Sequence, residues 1–241
     1  MGAHCVECVG SAQPSRREKV RVAVALGTPY ATYTLIGINA LMMVLAYPRS
    51  SRWFDLGLQA VAIDQLGENY RIITSAFLHG SALHIAFNML LLFQLGSILE
   101  RSLGLGRFVG LYFISLIGGS LGALLASSAL TLTIGASGAV FGLMGALAVF
   151  VRTRGGDIWS SGIGGLLVIN IMITFIAPGI SVGGHLGGLA AGAMSGWMLD
   201  TGTRTQPPRL SNTLAAVYSI GMSAALFVAA VMAAGWAVGR L

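Results

Sequence analysis

Three side chains that could do chemistry stand at matching depths in apolar stretches of this chain: Ser137 in GASGAVFG, His185 in GGHLGG and His84 in HIAFN. Each lies near the start of an apolar run that ends in charge. Ser137 is 15 residues before Arg152, His185 is 15 before Asp200, and His84 is 16 before Glu100. At about 1.5 Å per helical residue, each stands roughly 22–24 Å from its charged end. The hydrocarbon core of a bilayer is about 30 Å thick. If the three helices run the same way, a hydroxyl and two imidazoles meet inside a membrane, where ionisable groups are costly and read as functional by default.

That set can perform acyl transfer. A neutral His185 can take the Ser137 proton as general base and return it to a leaving amine. No Asp or Glu is near His185 in sequence, so the expectation is a dyad rather than a triad. His84 and Asn88 are four apart and share one helix face. With the backbone N–H of Ser137 they could stabilise the oxyanion of a tetrahedral intermediate. Each residue also has a structural reading. Serine in a Gly/Ala-rich span is a packing residue, a buried His can bond a carbonyl or ligate a metal, and Asn can bond between helices. His79, near the entrance of the same span, reads equally as an interfacial residue.

The elements that must hold these groups are membrane helices. The hydrophobic fraction is 55% and charged residues are only 9%, against about 25% charged in soluble domains. Seven apolar spans are expected at roughly 28–47, 80–99, 108–130, 137–151, 159–177, 183–199 and 213–236. The charge of +6 follows topology and gives no reason to invoke nucleic acid. With a cytosolic N-terminus, Arg16, Arg17, Lys19, Arg21, Arg101, Arg107, Arg152, Arg154, Arg204 and Arg209 are all cytosolic. Spans two, four and six then run from outside to inside, as the depth argument requires. The first 27 residues carry no apolar core suited to a cleavable signal peptide.

Span four is too short to cross a bilayer alone, so Ser137 is expected at a helix N-terminus after a buried loop through Thr133, Ile134 and Gly135. Gly138 and Gly142 form one small-residue face, and Gly188 and Gly192 form another. Contact between those faces would bring Ser137 within hydrogen-bond reach of His185. Loops 130–136 and 178–184 are expected to line an aqueous opening. Residues 48–79 mix Trp53, Phe54, Leu56 and Leu58 with Asp55, Asp64, Glu68 and Arg71, and should lie in the outer interface.

The combination of H-x-x-x-N (His84, Asn88), G-x-S-G (Gly135, Ser137, Gly138) and H-x-x-G-x-x-x-G (His185, Gly188, Gly192) resembles the rhomboid family of intramembrane serine proteases over about residues 28–199. The resemblance implies an all-α polytopic membrane protein, a rhomboid-like six-helix bundle plus one C-terminal transmembrane helix. It assigns Ser137 as nucleophile, His185 as base, and His84 and Asn88 to the oxyanion side. Tyr70-Arg71 is similar to the Trp-Arg pair of the family's first loop, and Phe141 stands where some members place a Tyr against the base. Cys5-x-x-Cys8 is similar to the end of a small zinc-binding module that precedes some bacterial members; a metal-free tail is the other reading.

The expected organisation is a cytosolic tail (1–27), a catalytic core (28–199), a cytosolic linker (200–212) and an added helix (213–241). The implied partners are transmembrane protein substrates and the lipid bilayer, with neither metal nor cofactor. Arg outnumbers Lys 13 to 1, and Gly is abundant at 34 residues, which suggests a GC-rich bacterial genome and a bacterial plasma membrane. Two rivals remain. A catalytically silent rhomboid-like binder of membrane clients would have lost the nucleophile or base. A transporter would show repeated broken helices, and no internal repeat is visible.

Overall fold

The computed structural model describes residues 27–46, 51–202 and 208–241. The expectations for Cys5, Cys8 and the N-terminal basic residues lie outside the described residues. Ten α-helices occur among those described: α1 (Tyr30–Ala46), α2 (Ser51–Leu56), α3 (Ala60–Leu66), α4 (Arg71–Thr74), α5 (Ala82–Leu103), α6 (Leu105–Ala126), α7 (Ser137–Thr153), α8 (Ile163–Ile176), α9 (Val182–Leu199) and α10 (Asn212–Val238). A 3-10 turn, Ser75–Phe77, follows α4. The fold is the expected all-α membrane architecture. The seven apolar spans correspond to α1 and α5–α10. Three of these, α5, α6 and α10, are long and apolar enough to cross a membrane alone; α1, α7 and α8 are shorter.

Among the shorter helices, α7 packs against α6 and α9, α1 mainly against α5, and α8 lightly against α7 and α9. Phe108, Leu111, Tyr112 and Ile114 of α6 are wholly buried. Small residues let α6, α7 and α9 touch backbone to backbone. A Cβ on Gly122 would overlap the carbonyl oxygen of Gly183, and one on Gly188 would overlap that of Gly138. Without a hydrophobic drive between helices in lipid, such close van der Waals contact is the main source of association. The added helix α10 packs against α6 and α3.

Polar contacts at the far end fix α5, α7 and α9 as parallel neighbours. Arg154, just after α7, pairs with Asp200, just after α9, at 2.6 Å. Thr201 Oγ1 donates to the Ser102 carbonyl in α5 at 3.1 Å. The buried Glu100 carboxylate accepts from the N–H groups of Ala31 and Thr32, at 2.9 and 2.8 Å, and so caps α1. An acceptor here satisfies orphan donors and opposes the positive helix end.

Arg71 ties together the described residues between α1 and α5. Its guanidinium pairs with Glu68 and donates to the carbonyls of Phe54 and Gly57. Tyr70 Oη donates to the Asp55 carbonyl at 3.1 Å. The Tyr-Arg pair therefore ties α2 to α4.

Candidate active site

The Ser137 hydroxyl follows a non-helical segment, exposed at Leu130 and Thr131 and half-buried from Leu132 to Gly135. Leu58 and Thr133 exchange backbone hydrogen bonds of 3.0 and 2.9 Å, and the N–H of Gly135 donates to the Ser75 carbonyl at 2.9 Å. These bonds satisfy backbone that hydrocarbon could not. Gly135 has φ of +126°, and a Cβ there would come within 2.8 Å of His84 Nε2 and Cε1, so only glycine fits. Helix α7 then begins at Ser137, with Ala136 at the N-cap and no side chain capping the first turn. Its orphan amides are left open beside the serine.

His84 lies in the first turn of α5, where Ser81 caps the helix by accepting from the His84 N–H at 3.1 Å. The N–H of Gly80 donates to His84 Nδ1 at 3.4 Å. An Nδ1 that accepts leaves the ring proton on Nε2, the nitrogen that faces Gly135. The same point beside Gly135 is also close to Ser137 Oγ, 3.8 Å from a Cβ built there. Asn88 is buried and spends one amide hydrogen on the His84 carbonyl at 2.9 Å. Among the described residues its second hydrogen has no acceptor.

His185 is in the first turn of α9, capped by Ser181. Phe141 stacks on its ring, with centroids 4.0 Å apart and planes 19° apart. Its Nδ1 is 2.7 Å from Thr174 Oγ1 in α8. The two glycine faces meet as the spacing suggested, but no hydrogen bond joins Ser137 Oγ to His185 among the described residues. The ring is held instead by Thr174 and Phe141.

Ser137, His185, His84 and Asn88 all line one cavity of about 960 Å³, and Thr131–Gly135 and Pro178–Gly184 line it too. These are the two loops expected to border an opening. His79 differs from the interfacial alternative: it is buried and stands edge-on to His84, with centroids 4.9 Å apart. Among the described residues no group of three or more His, Cys, Asp or Glu is placed to hold a metal.

The Rhomboid domain family matches residues 66–201, more than half of the chain. The chain belongs to the rhomboid family. It is 31% identical over 193 residues to Rhomboid protease GluP of Bacillus subtilis, covering 75% of this chain and 37% of GluP. It is 36% identical over 140 residues to RHOMBOID-like protein 5 of Arabidopsis thaliana, covering 55% of this chain and 45% of that protein. To Rhomboid-like protease 1 of Toxoplasma gondii it is 32% identical over 148 residues, covering 58% and 50%. The matches therefore span half or less of these relatives' lengths. This rhomboid is thus an integral membrane protein whose matched region includes Ser137, His185, His84 and Asn88.

Thr174 is the residue that sequence reasoning missed. A signal for it exists: Asn170 and Thr174 are four apart in an otherwise apolar span, the same face-sharing pattern as His84 and Asn88.

Proposed function

We propose that this rhomboid is an intramembrane serine endopeptidase that cuts transmembrane segments of other proteins near the extracytoplasmic interface. The observation that carries the reading is the shared cavity wall: a hydroxyl, an imidazole beside it, and an imidazole and an amide facing the same space. Printed names of relatives such as Rhomboid protease GluP point the same way.

In the proposed reaction Ser137 Oγ attacks the scissile carbonyl carbon while its proton passes to His185 Nε2. The carbonyl oxygen becomes an oxyanion, which the Ser137 N–H, His84 Nε2–H and the free Asn88 amide hydrogen stabilise. Collapse breaks the C–N bond, and the leaving amine takes the proton from His185. A water entering the cavity then repeats the sequence and releases the acyl group. No metal or cofactor enters this scheme.

A substrate helix hides its carbonyls in its own hydrogen bonds, so segments with Gly or other helix-weakening residues near the cut should be preferred. The arginine distribution supports a cytosolic N-terminus, and composition supports a bacterial plasma membrane.

The test compares wild type with Ser137→Ala in detergent or liposomes on a transmembrane reporter. Cleavage should fall by more than about 10³-fold in the variant. Full residual activity would sink the assignment. No cleavage by either protein, with Ser137 inert to fluorophosphonate, would favour a catalytically silent membrane-client binder.

A further inference from the structure

We infer that Thr174 is the positioning residue of the base: its hydroxyl accepts the His185 Nδ1 proton and so holds Nε2 bare towards the cavity. This rests on the reading of His185 as general base. Thr174 Oγ1 carries one proton and faces two groups, the Asn170 carbonyl at 2.7 Å and His185 Nδ1 at 2.7 Å. A carbonyl oxygen can only accept, so the hydroxyl proton goes to Asn170. If it went to His185 instead, two oxygens would stand 2.7 Å apart with no proton between them. The hydroxyl is left with lone pairs for the imidazole, which must donate from Nδ1. A neutral imidazole with its proton on Nδ1 presents a lone pair on Nε2.

The arrangement does the work of a triad carboxylate without a charge. Thr174 is 2% exposed and His185 8%, so water does not compete for this bond. An ionised carboxylate at that depth would cost far more than a hydroxyl. Elsewhere on this half of α8, Ile169, Met172, Phe175 and Ile176 are exposed, while Asn170 and Ile173 line the cavity. The Phe141 stack fixes the plane of the ring, and Thr174 fixes which edge carries the proton. His84, held from the Gly80 amide, has the opposite tautomer. One imidazole thus accepts at Nε2 and the other donates there.

The experiment uses the full chain in detergent with the transmembrane reporter. Thr174→Val keeps the shape and removes the acceptor; Thr174→Ser keeps the acceptor. Thr174→Val should lower kcat about tenfold, the population change expected on losing one net hydrogen bond, with KM unchanged. Thr174→Ser should restore kcat. In ¹⁵N-histidine-labelled protein, the His185 Nδ1 signal should be that of a protonated nitrogen in wild type and should shift in Thr174→Val, a change that packing alone would not produce. The inference is overturned if Thr174→Val turns over at the wild-type kcat, if Val and Ser are equally impaired, or if the Nδ1 signal is unprotonated in wild type. Ser137→Ala is assayed alongside: activity there would instead overturn the reading on which the inference stands.

Discussion

Gly192 faces Gly142 so closely that a Cβ on Gly192 would overlap both the carbonyl oxygen and the α-carbon of its neighbour. One turn nearer the cavity, Gly188 meets Gly138 in the same way. The distance between the serine helix and the histidine helix is therefore set by the absence of side chains. Neither helix can retreat without widening the gap between Ser137 and His185.

Gly192→Ala should accordingly destabilise the fold by about 1–3 kcal/mol, the usual cost of forced overpacking, and depress cleavage further by separating α7 from α9. At Gly221 in α10 an added Cβ would meet nothing within 4 Å, and Gly221→Ala should be neutral or slightly stabilising. Thermal unfolding in detergent checks the pair. Equal melting temperatures for both variants would contradict the packing argument.

Removing the proposed oxyanion donors should slow the chemistry without weakening substrate binding. For His84→Ala combined with Asn88→Ala, kcat should fall by about 10²–10³-fold, as expected for lost oxyanion-hole donors. Steady-state kinetics distinguish this from a binding role, which would raise KM at constant kcat. A wild-type turnover number in the double variant would refute the role.

Glu100 holds the start of α1 through two backbone amides and the Thr32 hydroxyl. Glu100→Gln keeps the shape but turns an amide group towards one of those donors. The loss should be about 1–3 kcal/mol, the cost of leaving a buried polar group unsatisfied. Limited proteolysis near residue 30 should become faster while the remaining helices stay protected. Unchanged protection of α1 would show that lipid and packing suffice.

His79 lies in the loop before α5, and burial, with the His84 ring beside it, pushes its pKa down to about 3. A base whose folded pKa is depressed favours folding while it is neutral. Its contribution is intact above the ordinary pKa of about 6.5 and is eroded as pH falls from there towards 3, by about 1.4 kcal/mol per pH unit. Melting temperatures at pH 7 and pH 5 should therefore diverge more for wild type than for His79→Leu. If both proteins lose the same amount, the acid sensitivity belongs to other groups.

Much of this was legible in the chain because lipid leaves few choices. Apolar runs had to become helices, since no other open structure satisfies its backbone there. A run of about fifteen residues beginning at Ser137 could not span alone, which placed the serine at a helix start, and α7 begins there, although Ser137 itself is half-buried rather than buried. The spacing of Gly138, Gly142, Gly188 and Gly192 implied close contact, and their backbones meet. The tertiary structure alone decided what lies across from each group. Nothing local in the sequence says that Thr174, 11 residues before His185, bonds its Nδ1, or that the Gly80 amide orients His84. The burial of His79 against His84 was equally invisible, because the sequence reading allowed an interfacial site and only the packing of the preceding loop excludes water from it. Helix periodicity specifies which residues share a face. The partner of that face, and hence the tautomer of each histidine, depends on how α5, α7, α8 and α9 are placed in space.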